Sequence, residues 1–204
     1  MVDSANGGMP DEAPKRTRIT DPTVMRALAH PARLTILEEL GLGRAGTATE
    51  FAALCGLTPS ATSYHLRALA KAGLVQEAPG RGDGRERVWQ LVSSGGIEVT
   101  SGPDDPEAMR AEQGLVEVWL ARSEARTRSW VARWPTESQE WYDATVMHEQ
   151  LINVTSEELN ELNTQVTELV RPYTLTVRRE PPPNSRTIAI VYRTVPIPDK
   201  PDTA

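Results

Sequence analysis

Residues 47–75, TATEFAALCGLTPSATSYHLRALAKAGLV, carry the signals of two short helices joined by a tight turn. The first helix is predicted to begin after Thr47 and to end at Gly56, because glycine adopts the left-handed C-terminal conformation at little steric cost. The second is predicted to begin with Thr58 as its N-cap and Pro59 at its first position, where the missing N–H of proline costs nothing. The stretch therefore predicts a closely packed pair of helices.

The second helix divides into an apolar face and a polar face. Leu66, Leu69 and Ala70 recur at helical spacing and are expected to point into the core. The opposite face, which we term the polar stripe, carries hydroxyl, phenol, guanidinium and ammonium groups and no carboxylate. Its members are Ser60, Ser63, Tyr64, Arg67 and Lys71. Such groups hydrogen-bond base edges and phosphates, although an ordinary solvated helix face has a similar composition.

A hairpin with a basic tip is predicted directly after the helix pair. Residues 74–78 have the composition of a strand, residues 79–85 form a turn rich in glycine, and residues 86–91 alternate polar and apolar as a returning strand does. A hairpin in this position makes the unit a winged helix-turn-helix. The basic side chains of the wing, which are expected to straddle neighbouring phosphates or the minor groove, are Arg81, Arg85 and Arg87.

Three short motifs resemble the ArsR/SmtB family of bacterial repressors. They are ALAHPARL at residues 27–34, SATSYHLRAL at residues 60–69 and KAGLV at residues 71–75. The resemblance covers about residues 23–94. It implies a sequence-specific repressor that binds double-stranded DNA as a homodimer on a near-palindromic operator. It also implies that Pro59, the polar stripe and the wing arginines lie at the DNA.

Charge is divided unevenly along the chain. The net charge is −6, which would argue against a nucleic-acid partner, but residues 15–94 hold 11 Lys and Arg against 7 Asp and Glu. The remaining residues hold 11 Lys and Arg against 21 Asp and Glu. A basic block within an acidic protein is the footprint expected where one module meets DNA and the rest does not.

The residues before the helix pair predict a short arm and two further helices. Residues 1–18 are rich in glycine, proline and charge and are expected to be disordered, either as an ordinary solvated tail or as a basic arm that reaches along DNA. The second of the two helices is predicted to begin at His30, which acts as its N-cap. Arg33 is expected to contact a phosphate or to pair with Glu38 or Glu77.

Residues 107–134 predict one long helix, preceded by a turn-rich linker at residues 95–106. A helix of about 28 residues spans about 42 Å, which is longer than one small winged domain can cover. Its apolar residues recur at spacings of three, four and seven and need a partner surface. In the resembling family the helix after the wing forms the dimer interface, so we expect residues 107–135 to dimerise rather than to pack within one subunit.

Residues 136–204 predict a small β-α-β accessory unit. Residues 141–154 contain the β-branched and alternating residues typical of a strand, and residues 155–158 form the pattern of a capping box for a helix. Residues 187–195 have the composition of a second strand. Together with a winged helix-turn-helix domain at residues 19–94, this predicts a fold of the α+β class that is mainly α.

Neither catalysis nor a disulfide is indicated by the residues. The three histidines lie far apart in the sequence, and none has a nucleophile or a glycine-rich loop beside it, so we do not expect an enzyme. The single cysteine, Cys55, excludes an internal disulfide and is expected to be a small core residue. The polar N-terminus and the lack of a long apolar run predict a cytoplasmic protein without a membrane partner.

The metal sites common in the resembling family are not expected either. The Cys-x-Cys motif of its arsenic and cadmium sensors would fall at residues 48–54, which hold no cysteine. A zinc site would need histidines on the dimer helix, and residues 107–134 hold none. We therefore expect no metal and no cofactor.

Tryptophans near the long helix, together with Tyr142, suggest an apolar pocket for a small organic effector, with aromatic packing at an interface as the alternative. They are Trp119, Trp130, Trp134 and Trp141. Two other roles stay open. One is a winged helix that binds proteins rather than DNA, and the other is a ligand-handling role of residues 136–204.

Overall fold

Seven α-helices and five short strands make up the described part of the chain. The computed structural model describes residues 17–79, 86–93, 96–175, 177–178 and 180–197. The helices are α1 (Pro22–Leu28), α2 (Pro31–Gly41), α3 (Ala48–Cys55), α4 (Pro59–Lys71), α5 (Pro106–Val131), α6 (Gln139–Asp143) and α7 (Ser156–Val170). The strands are β1 (Thr17–Ile19), β2 (Gly46–Thr47), β3 (Val75–Glu77), β4 (Val88–Leu91) and β5 (Ile97–Val99). The predicted fold class, α+β and mainly α, is confirmed.

Each of the first four helices begins at a side chain that accepts a hydrogen bond from a backbone N–H of the first turn. These caps are Asp21 for α1, His30 for α2, Thr47 for α3 and Thr58 for α4. α3 ends at Gly56, whose φ of +64° lies in the left-handed region. The helix pair predicted from residues 47–75 is therefore confirmed, and so is His30 as an N-cap.

The wing is a three-stranded antiparallel sheet in the order β2, β4, β3. Thr47 of β2 pairs with Val88 of β4, and Val75 of β3 pairs with Leu91 at the other end of β4. Thr47 is thus both the last residue of a strand and the N-cap of α3. The predicted winged helix-turn-helix is confirmed in this arrangement of α3, α4 and the sheet.

The core lies where α1, α2, α4 and α5 meet. Leu28, Ile36, Leu66, Leu69 and Leu115 are each at most 1% exposed. Burial of one such side chain contributes about 1.5–3 kcal/mol relative to leaving it in water. Because Leu115 belongs to α5 and packs in the same cluster as the α4 leucines, α5 completes the core of the winged domain rather than standing apart from it.

The long helix agrees closely with its prediction, whereas the linker before it does not. α5 runs from Pro106 to Val131, against the predicted residues 107–134. Within the predicted linker at residues 95–106, Ile97–Val99 form β5, which pairs in parallel with β1. The linker is therefore partly a strand, because β1 supplies a hydrogen-bonding partner that the local sequence does not reveal.

β1 also bears on the predicted N-terminal arm. Of residues 1–18, Thr17 and Arg18 belong to β1 and pair with β5. The other residues of the arm lie outside the described part of the chain.

The predicted β-α-β unit at residues 136–204 is wrong in its two strands. α7 forms with the predicted capping box between Thr155 and Glu158. Residues 141–154 hold the end of α6 and then no regular structure, and residues 187–195 form no strand. An alternating sequence becomes a strand only where a neighbouring strand completes its backbone hydrogen bonds. The described residues supply no such neighbour to either segment.

Replacing Leu115 by alanine should lower the free energy of unfolding by about 2–5 kcal/mol, because it leaves a cavity in the core that α5 shares with the winged domain. Urea unfolding followed by circular dichroism measures this change. Leu169→Ala on α7 is the matched control, since Leu169 is 73% exposed, and it should change the same quantity by no more than about 0.5 kcal/mol. Equal effects of the two substitutions would show that α5 is not part of the core.

Candidate nucleic-acid interface

The polar stripe of α4 faces solvent because the opposite face of the helix is buried in the core. Thr62, Leu66 and Leu69 are fully buried against the neighbouring helices. On the opposite side Tyr64 is 60% exposed. The other exposed residues predicted to contact DNA are Pro59, Ser60, Arg67 and Lys71, and Ser63 is partly buried. The helix therefore holds hydroxyl, phenol and cationic groups in one outward row.

A cleft of about 500 Å³ lies between the start of α4, the start of α3 and the base of the wing. It brings together five of the residues predicted to contact DNA, while Tyr64 and Lys71 lie outside its lining. The five are Pro59, Ser60, Ser63, Arg67 and Arg87. Thr47, Thr49 and Trp89 complete much of the wall. Helix and wing thus form one continuous concave surface.

Glu86 is a cleft residue that the sequence analysis missed. The hydroxyl of Thr49 donates to its Oε1 at 3.2 Å and so links the start of α3 to the wing. A carboxylate here repels a phosphate, although it can accept a hydrogen bond from a cytosine amino group. No local signal could have identified it, because Glu86 and Thr49 are 37 positions apart in sequence.

Arg87 is held by an ion pair within the wing. Its Nη1 lies 2.9 Å from Oε1 of Glu77, and the two side chains are 69% and 53% exposed. An exposed pair of this kind is worth about 0–1 kcal/mol, so the guanidinium can exchange its partner at little cost. The other two predicted wing contacts, Arg81 and Arg85, lie outside the described residues.

Three basic side chains meet behind the polar stripe, at the junction of α2 and α4. The rings of His30 and His65 have centroids 4.3 Å apart. Arg33 donates from Nη1 to the carbonyl oxygen of Ala27 at 2.7 Å and from Nε to Nδ1 of His65 at 3.4 Å. The predicted partners of Arg33 were a phosphate or a glutamate. Neither glutamate is its partner, because the guanidinium turns inward to a carbonyl and an imidazole.

The surroundings of both histidines favour the neutral form of the ring. Burial lowers the pKa of His30 below its usual value, and the nearby Arg33 guanidinium lowers it further. Burial is also the main cause that lowers the pKa of His65, followed by His30 and then Arg33. In each ring Nδ1 accepts a hydrogen bond, which requires that nitrogen to be unprotonated.

Cys55 lies partly buried at the end of α3. Its Sγ approaches the carbonyl oxygen of Ala32 at 3.7 Å. Burial raises the pKa of the thiol, although the nearby Arg122 acts in the opposite direction. The sulfur is therefore a weakly reactive packing group, as its position in the turn predicts.

Residues 28–77 match a family model described as a helix-turn-helix domain. The matched stretch begins at the end of α1 and ends with β3. It therefore includes the whole helix pair and the wing strands β2 and β3. The chain contains a winged helix-turn-helix domain. Domains of this type use the second helix of the pair to enter the major groove of DNA.

Solved structures of regulators are similar to the chain at low identity. A MarR family protein of Mycobacterium tuberculosis, in complex with salicylic acid, is 21% identical, and the match covers 72% of this chain and 85% of that chain at a TM-score of 0.29. A mutant of ZitR from Lactococcus lactis is 15% identical, with 79% and 84% covered and a TM-score of 0.28. At these scores the likeness carries no argument about ligand or operator. No curated protein matches the chain.

The four tryptophans predicted to line one effector pocket have different neighbours. Trp119 lines a cavity between α2 and α5. Trp134 contacts Tyr142 edge-on, with ring centroids 5.6 Å apart. Trp141 lies under the guanidinium of Arg186 at 4.6 Å, and Trp130 lies 5.8 Å from that of Arg133. Trp119 and Trp130 lie on α5, whereas Trp134 and Trp141 lie beyond its end, so the four rings are not carried by one helix.

The described residues hold neither a candidate metal site nor a candidate membrane span. They contain no group of three or more His, Cys, Asp or Glu side chains placed to hold a metal ion. Among the same residues, no helix combines the length and the apolar character needed to cross a bilayer. The expectation that the chain uses no metal stays a prediction.

Acidification should destabilise the winged helix-turn-helix domain through His30 and His65. Because the pKa of each ring is lower when folded, the unfolded chain takes up protons first as the pH falls below about 6.5. The stabilising contribution is complete above that pH and is lost as the pH falls through the folded pKa values. The melting temperature should therefore drop between about pH 7.5 and 5.5, as differential scanning calorimetry measures.

The matched variants for this experiment are His65→Gln and His148→Gln. The first should flatten the decline of melting temperature with pH, whatever it does to stability at neutral pH. The second changes an exposed histidine and should leave the decline as it is. A decline that stays the same in His65→Gln would show that other groups carry the pH dependence.

Proposed function

We propose that the chain is a sequence-specific transcription regulator of the ArsR type, a repressor that binds a near-palindromic operator as a dimer. The observation that carries the proposal is the cleft in which Ser60, Ser63 and Arg67 of α4 face Arg87 of the wing. A surface that combines a recognition helix and an adjacent basic strand can contact base edges and backbone at the same time.

The polar stripe has the chemistry and the dimensions that major-groove binding needs. α4 has 13 residues, which correspond to about 20 Å of helix, and the major groove is about 12 Å wide and admits a helix. Arg67 can bond guanine O6 and N7, and the serine hydroxyls can bond either a base edge or a phosphate. Pro59 and Ser60 at the start of α4 are exposed and can approach the groove.

The wing is proposed to contact the phosphate backbone of DNA rather than the edges of the bases. Arg87 is exposed and weakly paired, so it can transfer its guanidinium to a phosphate. The same role is proposed for Arg81 and Arg85 on sequence grounds. Glu86 lines the cleft together with Arg87, and its negative charge would disfavour docking of the wing in any register that brings a phosphate against it.

α5 is proposed to supply the dimer interface. Met109, Val116 and Val131 are 41%, 37% and 39% exposed. They lie within about 60° of one another around the helix at 100° per residue, so they form one apolar row. The row is distinct from the face of Ala108, Ala111 and Leu115, which is buried within the subunit. A second copy of the same row is the simplest partner in a two-fold dimer.

The proposal assigns no catalytic role, metal or cofactor to the chain. Its function would be to occupy DNA, and its place would be the cytoplasm, where a bacterial chromosome is accessible. A small organic effector would tune that occupancy. A winged helix that binds proteins instead of DNA is the competing function, and the steepness of the salt dependence separates the two.

Arg67→Ala and Arg87→Ala should affect DNA binding in different ways. Loss of Arg67 should cost about 1–3 kcal/mol at one operator position and relax base preference there. Loss of Arg87 should weaken all sequences alike and reduce the salt slope by about one. A competition assay over randomised DNA at two salt concentrations measures both effects, and in a two-fold dimer each should appear in both half-sites.

Arg128→Ala is the control for this assay. Arg128 is an exposed cation of α5 that pairs with Glu124. Its loss removes one positive charge away from the proposed DNA interface, so it should change neither the base preference nor the salt slope. If Arg67→Ala lowered affinity uniformly while Arg87→Ala changed base preference, the roles of helix and wing would be reversed. Binding that is weak and independent of salt would favour the protein-binding alternative.

The double substitution Met109→Glu and Val131→Glu should convert the dimer to a monomer, because it brings four carboxylates into the proposed two-fold interface without their counter-ions. Sedimentation velocity measures the change. Ala121→Glu is the matched control, since Ala121 is exposed on a different side of the same helix and should leave the dimer intact. A dimer that survives the double substitution would show that the interface lies elsewhere.

A further inference from the structure

A cavity of about 640 Å³ lies between α2, α5 and residues 190–193 of the C-terminal segment. Its walls are mainly apolar and include Leu34 and Leu37 of α2, Trp119 of α5 and Ile190. Cavities of about 300–1,000 Å³ with apolar walls and a few placed polar groups are typical of small-molecule sites. The size and the lining are therefore those of a ligand site.

The charged side chains that line this cavity are mostly cationic. They are Arg122, Arg126 and Arg193 against the single carboxylate of Glu38, which gives a net charge of +2. The whole chain has a net charge of −6, so the cluster runs against the average composition. An excess of guanidinium groups along the wall of an apolar cavity favours an anionic ligand.

The hydrogen bonds show that these guanidinium groups are not saturated by protein carboxylates. Arg122 and Arg126 both donate to Glu38 and so share one carboxylate. Arg193 donates from Nη2 to the hydroxyl of Ser123 at 3.4 Å, a neutral partner at the edge of bonding distance. A structural ion pair needs one arginine for one glutamate. Here three guanidinium groups and one carboxylate line the same cavity.

The inner face of α5 changes its chemistry at the cavity. Ala111 and Leu115 are buried against α1, and Arg122 and Arg126 follow Leu115 by seven and eleven residues on the same side. Burial is the largest influence on Arg122 and lowers the pKa of its guanidinium, which Glu38 opposes. A cation on the inward side of a helix costs desolvation. An anionic group placed close to Arg122 would offset part of that cost.

We propose that this cavity binds a small organic carboxylate with an apolar body. The apolar body lies against Trp119 and the two α2 leucines, and the carboxylate bonds to Arg126 and Arg193. Such a ligand competes with Glu38 for its guanidinium partners and so loosens the link between α2 and α5. α2 packs directly on α3 and α4. Binding therefore lowers the affinity for DNA, an effect that rests on the proposed function, whereas the binding itself does not.

Isothermal titration of the full chain with 2-naphthoate tests the site directly. The neutral analogue 2-naphthamide has nearly the same size and ring system but lacks the charge. Naphthoate should bind at least about tenfold more tightly, since a charge-assisted hydrogen bond contributes more than about 1.4 kcal/mol. Equal affinity for the two compounds, or no saturable binding of naphthoate up to about 5 mM, would overturn the proposal.

Arginine variants locate the site. Arg126→Gln and Arg193→Gln should each weaken naphthoate binding about tenfold and leave naphthamide binding unchanged. Arg193 belongs to an exposed segment without regular structure, so its substitution keeps the fold intact even if Arg126→Gln is unstable. Arg128→Gln, on the outer side of α5, is the control and should bind both compounds like the original chain. Unchanged naphthoate binding in Arg193→Gln and Arg126→Gln would place the ligand elsewhere and overturn the assignment.

A second arm separates this proposal from the proposed function. DNA affinity is measured on a sequence selected from a random pool, with and without naphthoate. A loss of affinity that Arg193→Gln abolishes supports the coupling through α2. Tight naphthoate binding with unchanged DNA affinity would overturn the coupling but not the site. A chain that selects no DNA would overturn the proposed function, and the titration would still decide whether the carboxylate binds.

Discussion

Burial of the inner face of α4 is the constraint on which the remainder of the structure depends. Leu66 and Leu69 are buried in one cluster with side chains of α1, α2, α3 and α5, and Thr62 is also fully buried. One side of this 13-residue helix is buried in the core. Rotation of the helix would expose that apolar surface to water at a cost of several kilocalories per mole. Packing of the buried face therefore fixes the direction in which the polar stripe points. Rigid presentation of this kind reduces the entropy that a binding partner must overcome.

α5 contacts the winged domain at two separate places. Its first half completes the core through Leu115, and its second half carries the arginines that meet Glu38 of α2. One helix thus contacts the winged domain at its centre and again near its edge. A single helix connects the two contacts, so a displacement at one of them could be transmitted to the other without an intervening loop.

The sequence predicted the parts of the molecule that local chemistry determines. Thr47, Gly56 and Thr58 each act within a few residues, so the helix pair and its orientation could be predicted. The partnership of Arg122 with Glu38 spans 84 positions, and that of Arg33 with His65 spans 32. Contacts of this range depend on how the helices pack. The strand predicted at residues 187–195 is wrong for the same reason, because the strand-like composition of one segment does not supply a second strand to pair with it.

Thr47 occupies two elements at once, as the end of β2 and the cap of α3. Its backbone is fixed by the ladder to Val88, and its side chain by the backbone N–H of Glu50. The wing therefore cannot hinge against the helix pair without losing a strand pair and a helix cap together. Any surface that meets this domain meets the wing and α4 as a single rigid body. If the wing and α4 do not both fit the surface of a binding partner, the partner must deform. The energy of that deformation depends on how stiff the partner is.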